Sequence, residues 1–160
     1  MRLLIISLLH AFITSTQAQS LFLRTYGTSA AEERAFNMVI LNDHSVITIG
    51  DRYQTSTFQR TGYLLKVDAD GNEEWNREIA GNDDIYGTSI CLLPNGNVMT
   101  AGYDYDVPDQ DYGLMIATFQ SGNGLPVNQT THQLPQNTKA VDLVPMSDNG
   151  AVILCEYGTS

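Results

Sequence analysis

Apolar residues fall in short runs along this chain, separated by clusters of Asn, Asp, Gly and Pro, and this punctuation predicts strands and turns. The pattern repeats. Residues 35–50 lie on residues 87–102 at an offset of 52 with no gap, and a third stretch, 140–155, matches them with one residue inserted before its turn. Each stretch reads as a hairpin, turning at Asn42-Asp43-His44, Pro94-Asn95-Gly96 and Asp148-Asn149-Gly150. Asn-Gly between two apolar runs is a strong hairpin cue because both residues tolerate positive φ. His44 is the weakest of the three fits.

The module continues beyond the hairpin. Residues 62–72 are answered by 112–123, each a third strand ending in a polar turn, and residues 73–79 and 127–134 supply a fourth strand. Residues 21–26 play that fourth part for a module whose other strands come after them. Val46-Ile47-Thr48-Ile49 and Val98-Met99-Thr100-Ala101 are apolar on both sides, as strands in sheets stacked face to face must be. Gly50 and Gly102 close those strands where chains crowd or bend. No apolar stretch keeps a 3.6-residue period. The expected fold is all-β, built from β-propeller-type blades of four antiparallel strands, since four short strands in about 50 residues is the period of such blades.

Further segments sharpen this reading: Thr25-Tyr26-Gly27-Thr28-Ser29, then Tyr63-Leu64-Leu65-Lys66-Val67-Asp68-Ala69-Asp70-Gly71-Asn72 followed by Trp75, then Ala80-Gly81-Asn82-Asp83-Asp84. In these, and in 46–50 and 94–102, the chain resembles a family of secreted bacterial β-propeller repeat proteins. Their blades run from an aromatic-Gly pair through a polar acidic linker to a strand, turn and strand, then a Leu-Leu-Lys-Val-Asp-like strand and a Trp. The resemblance covers residues 21 to 157, and the second and third repeats lack the Lys, the Asp and the Trp of the first. It implies blades stacked around an axis in a large secreted or cell-surface chain. Such chains often carry C-terminal adhesive or sorting modules, and none is legible here.

The N-terminus predicts export. Met1-Arg2 is followed by an apolar run from Leu3 to Ile13, too short to span a bilayer, and Thr16 and Ala18 place small residues before a cut at Gln19. The expected organisation is a signal peptide at 1–18 and a repeat domain at 19–160, placed in the periplasm, at the cell surface or outside the cell. No other segment is long and apolar enough to hold the chain in a membrane. Losing Arg2 with the leader leaves 7 basic against 18 acidic residues and takes the net charge from −10 to −11, the wrong sign for a nucleic-acid partner. The remaining 142 residues hold about 2.5 blades, and closed rings take about four or more. A piece of a longer propeller is therefore the expectation.

Candidate chemistry is sparse. Asp104, Asp106, Asp109 and Asp111 concentrate four carboxylates in eight residues, read as a solvated acidic loop and, as the weaker alternative, a cation site, although the spacing departs from the EF-hand. Asp68 to Asn72 reads as a turn whose Asp and Asn bond their own backbone. Cys91 and Cys155, in apolar strand cores 64 residues apart, read as buried thiols rather than a disulfide. His44 and His132 are too scattered for a metal triad. Asn128-Gln129-Thr130 fits the glycosylation pattern. No Gly-x-Ser-x-Gly, HExxH or phosphate-loop motif occurs, so no catalytic, cofactor or metal residue is assigned.

These features favour an exported, non-catalytic binding or scaffold module whose loops touch a protein or a glycan. The alternative is a fragment of a secreted propeller hydrolase or lyase, which needs carboxylates or His converging on the axis. The strand ends nearest Gly50 and Gly102 are expected to carry mostly small or apolar residues.

Overall fold

The computed structural model describes residues 24–106, 108–134 and 137–158. Ten strands and no helices are found among them. The first sheet is β1 (Ala31–Ile40), β2 (Val46–Gln54), β3 (Gln59–Val67) and β4 (Glu73–Ile79) in that spatial order. The second repeats it with β5 (Asp84–Leu92), β6 (Asn97–Asp106), β7 (Asp111–Gln120) and β8 (Pro126–His132). The third is the hairpin of β9 (Asn137–Pro145) and β10 (Ala151–Gly158). All pairings are antiparallel. The strands begin earlier than expected: the acidic stretch Glu32-Glu33-Arg34, taken for a linker, already pairs with β2. Its polar side chains flank the core instead of filling it, which hides the strand from an apolar-run reading.

The second sheet lies between the other two, with β5 against β1, β2 and β3 on one side, and β9 against β5, β6 and β7 on the other. Because side chains alternate across a strand, each middle strand must be apolar on both faces. The first interface joins Ile47, Ile49, Leu64, Trp75 and Ile79 to Ile85, Ile90, Val98, Met115 and Phe119. The second joins Cys91, Leu93, Ala101 and Leu114 to Ala140 and Leu143, with Ile153 and Cys155 packed on them. Each fully buried aliphatic side chain contributes about 1.5–3 kcal/mol of transfer free energy. Cys91 and Cys155 are both free thiols of this second interface, and burial raises the pKa of each.

The repeat holds at the level of single atoms. In the three inner hairpins His44, Gly96 and Asn149 occupy one left-handed position, with φ of 65°, 84° and 66°. Asp43, Asn95 and Asp148 each accept a hydrogen bond from the backbone N–H two residues on, that of Ser45, Asn97 or Gly150. Two expectations are corrected here. Only the second residue of the Asn-Gly pair has positive φ, and in the third hairpin it is Asn149 rather than Gly150, so no residue is inserted before that turn. In the β7–β8 turn the left-handed glycine is Gly124, not Gly122, and it matches Gly71. The Asp68 turn meets its expectation at Asp68, whose carboxylate accepts from the Asp70 and Asn72 N–H groups, but the Asn72 amide bonds that carboxylate instead of the backbone and leads in lowering the Asp68 pKa.

Each inner strand bulges once, at Phe36, Thr88 and Val141, next to the pairs Ala35–Gly50, Gly87–Gly102 and Ala140–Cys155. A Cβ on Gly50 or Gly102 would enter the carbonyl oxygen of Arg34 or Tyr86. The sheets are also pinned to one another by polar bonds at matching positions. Asn37 donates to Ser89 Oγ at 3.3 Å, and Ser89 Oγ donates to Asp142 Oδ1 at 3.1 Å. Arg77 donates to the carbonyls of Gly124 and Asn123, and Arg24 donates to Gly71 O and Asn72 Oδ1. Arg24 therefore stands to the first sheet as β4 stands to the second, although Arg24 to Tyr26 form no strand and residues 21–23 lie outside the described residues, as does the expected signal peptide.

Candidate functional site

The ends of β2, β6 and β10 and the starts of β3, β5, β7 and β9 meet at one edge of the stack. Polar and aromatic side chains gather there. Register assembles the aromatic row: Tyr86 lies opposite Tyr103 and Tyr105 opposite Tyr112, and the period of two keeps Tyr103 and Tyr105 on one face. Tyr86 stacks on Tyr103 at 4.6 Å between centroids, Tyr103 meets Tyr112 edge-on at 5.6 Å, and Tyr112 stacks on Tyr105 at 4.7 Å. Two cations cap the row. Arg60 lies over Tyr53 and Tyr86 at 5.1 Å each, and Lys139 Nζ is 3.9 Å from the Tyr112 centroid and 5.1 Å from that of Tyr103. Burial, then the neighbouring Tyr86 and Tyr112, pushes the Tyr103 pKa up to about 12.

Beside the row, between the second and third sheets, is a cleft of about 360 Å³. Tyr105, Tyr112, Lys139, Asn137, Glu156 and Asp109 line it. Asn137 is held by the Tyr112 N–H, which donates to its Oδ1 at 3.0 Å. The cleft offers aromatic surface, one cation, two carboxylates and an amide, a set suited to holding a polar ligand by stacking and hydrogen bonds.

At the inner end of the row Asp51 is fully buried and takes two arginines. Arg34 donates from Nε at 3.1 Å and Nη2 at 3.2 Å, and Arg60 Nη1 donates to Oδ1. Burial works to lower the Arg60 pKa, but the charge and hydrogen bond of Asp51 outweigh it and the net shift is upward. The expectation of small, apolar strand ends beside Gly50 and Gly102 is thus overturned, because Arg34, Asp51, Tyr86 and Tyr103 stand there. No protein-family model matches this chain. No curated protein is similar to it in sequence either.

The acidic run is not a solvated loop. Asp104 and Asp106 belong to β6 and Asp111 to β7, leaving only 107–110 between the strands. Asp104 faces inward and is buried, while Asp109 and Asp111 are exposed. Asp106 lies opposite Asp111 in the β6–β7 ladder, but among the described residues no group of three or more His, Cys, Asp or Glu is placed to hold a metal ion. His44 sits in its turn and His132 ends β8, far apart in the fold, and residues 128–130 lie on the outer strand β8. No described helix is long and apolar enough to cross a membrane.

Asp104 Oδ1 has no hydrogen-bond partner among the described residues, and burial raises the Asp104 pKa above its usual value of 3.8. An acid whose folded pKa is raised binds more protons folded than unfolded, so its contribution to stability is greatest at low pH and is lost as pH rises through the folded pKa. Asp104→Asn is therefore expected to raise the unfolding free energy at pH 7 by about 1–2 kcal/mol. Below pH 3.8 the gain disappears. Urea unfolding at both pH values checks this, and a variant less stable than wild type at pH 7 contradicts it.

Proposed function

We propose that this chain is an exported, non-catalytic binding module of β-propeller type, and that it takes a glycan in the cleft between its second and third sheets. The observation that carries the reading is the pairing of stacked Tyr105 and Tyr112 with Lys139, Asn137 and Glu156 around one opening. Sugar C–H faces carry slight positive charge and pack on the negative faces of aromatic rings, while their hydroxyls bond to carboxylate and amide oxygens. Lys139 lies on the Tyr112 face, so it also aligns that ring and adds a donor. The stacked sheets support the propeller reading: consecutive four-stranded units pack face to face, each bulged and turned at the same positions.

The test is a glycan-array screen of the purified chain followed by calorimetry on the strongest hit. Tyr112→Ala removes the ring that backs Tyr105 and seats Lys139, and is expected to weaken binding about 10- to 100-fold, the equivalent of one stacked ring and one cation contact. Glu156→Gln keeps shape and loses charge, and is expected to weaken it about tenfold, the worth of one charge-assisted hydrogen bond. Binding unchanged by Tyr112→Ala rules out this cleft. Turnover of the bound glycan abolished by neutralising one carboxylate would replace the binding reading with the hydrolase reading.

A further inference from the structure

We propose that this chain associates head to tail with a second copy of itself, the open face of the third sheet of one molecule covering the open face of the first sheet of the next. Each of these faces carries, at matching repeat positions, the residues that are buried elsewhere in the same molecule. On the third sheet Val144, Met146, Val152 and Leu154 are exposed, Leu154 by 62%. Their counterparts in the second sheet are Cys91, Leu93, Met99 and Ala101, which pack on the third sheet. On the first sheet Met38 is 62% exposed, while its counterparts Ile90 and Leu143 are buried. Apolar faces of this extent do not stay in water on a stable monomer without a purpose.

The two faces match each other in detail because they are the two sides of one interface type. Where Ala101 and Ala140 pack together between the second and third sheets, the corresponding pair across molecules is Leu154 and Ala35, and Ala35 borders a 230 Å³ groove floored by Gly50, Thr48 and Leu65 that gives the larger leucine room. The polar positions match as well. Asn37 donates to Ser89 and Ser89 to Asp142, so the next member of that series is the Asn37 amide of the second molecule, a donor facing the Asp142 carboxylate. Lys139 lies over Tyr103 between the second and third sheets, and the equivalent positions at the junction are Arg34 and Glu156, opposite in charge. Such an interface is heterologous, and repeating it either closes a ring or extends a filament.

The test uses two charge-insertion variants of the purified chain, Leu154→Asp and Met38→Asp, both at exposed positions, with circular dichroism confirming wild-type folding. Sedimentation velocity is expected to show wild type in species larger than the monomer and each variant alone as a monomer. An equimolar mixture of the variants is expected to form a one-to-one dimer and nothing larger, because one retains the intact first-sheet face and the other the intact third-sheet face. Monomeric wild type overturns the proposal. So does self-association of either variant, which would mark an isologous contact, and so does a mixture that stays monomeric.

Discussion

Gly102→Ala is expected to destabilise the fold by at least about 4 kcal/mol, the range reached only by the most disruptive single substitutions. The added methyl would enter the Tyr86 carbonyl oxygen. That oxygen belongs to β5, the inner strand of the second sheet, and β5 is packed against the first sheet on one side and the third on the other. It has nowhere to retreat. A side-chain clash is relieved by a rotamer change, but a backbone clash at a bulge between two filled interfaces must move a strand. With a typical domain stability of about 5–15 kcal/mol, such a loss removes most of the folded population. Gly50→Ala meets the Arg34 carbonyl in the same way, but within its own molecule β1 packs against a neighbouring sheet on one side only, so its cost should be smaller. Thermal unfolding of the two variants checks the ranking. Gly96→Ala supplies the control, since its Cβ would meet nothing within 4 Å and only its φ of 84° opposes the change. A Gly102→Ala protein within 1 kcal/mol of wild type, about the ordinary single-mutant effect, contradicts the bulge as the source of the constraint.

The parts of this fold legible in the sequence are those that depend on local alternation. Residues 73–79, 46–50 and 98–102 read as strands because their apolar positions, turn residues and glycines carry the signal within a few residues of one another. The offset between 35–50 and 87–102 survives in the structure as the matched pairs Ala35–Gly50 and Gly87–Gly102. What local pattern does not encode is which of several turn residues goes left-handed. Both Asn149 and Gly150 tolerate positive φ, yet Asp148 caps the Gly150 N–H and it is Asn149 that goes left-handed. The acidic stretch at 104–111 misled for a related reason. Clustered carboxylates read as a loop, whereas Asp104 is drawn into the sheet by the pairing of β6 with β7.

The candidate site was less legible because its members come from separate repeats. Tyr105 and Tyr112 become neighbours only through the β6–β7 register, and Lys139 joins them only because the third sheet stacks on the second. One signal was present: tyrosines at 103 and 105, two apart, and a third at 112, seven residues later, as a short hairpin would bring face to face. Reading that spacing as a shared face, rather than as part of an acidic run, would have found the aromatic row.

Asp51→Ala is expected to cost about 3 kcal/mol, the usual result of removing one partner from a buried ion pair. Asp51 is fully buried, and its two partners differ in what its loss does to them. Arg34 is 53% exposed, so water takes over its solvation and its pairing contributes at most about 1 kcal/mol. Arg60 is mostly enclosed between Tyr53 and Tyr86, and without Asp51 its charge is left against two aromatic faces, which recover only about 1–2 kcal/mol. The cost therefore falls on Arg60. This fixes the order of a variant series: Asp51→Ala should be the most damaging, Arg34→Ala the least, and Asp51→Ala with Arg60→Leu less damaging than Asp51→Ala alone, because the second change removes the stranded cation. Chemical denaturation of wild type, Asp51→Ala, Arg60→Leu and the double variant yields their coupling energy directly. A double variant no more stable than Asp51→Ala would show that Asp51 acts through Arg34 or through backbone geometry, and not by neutralising Arg60 at the inner end of the tyrosine row.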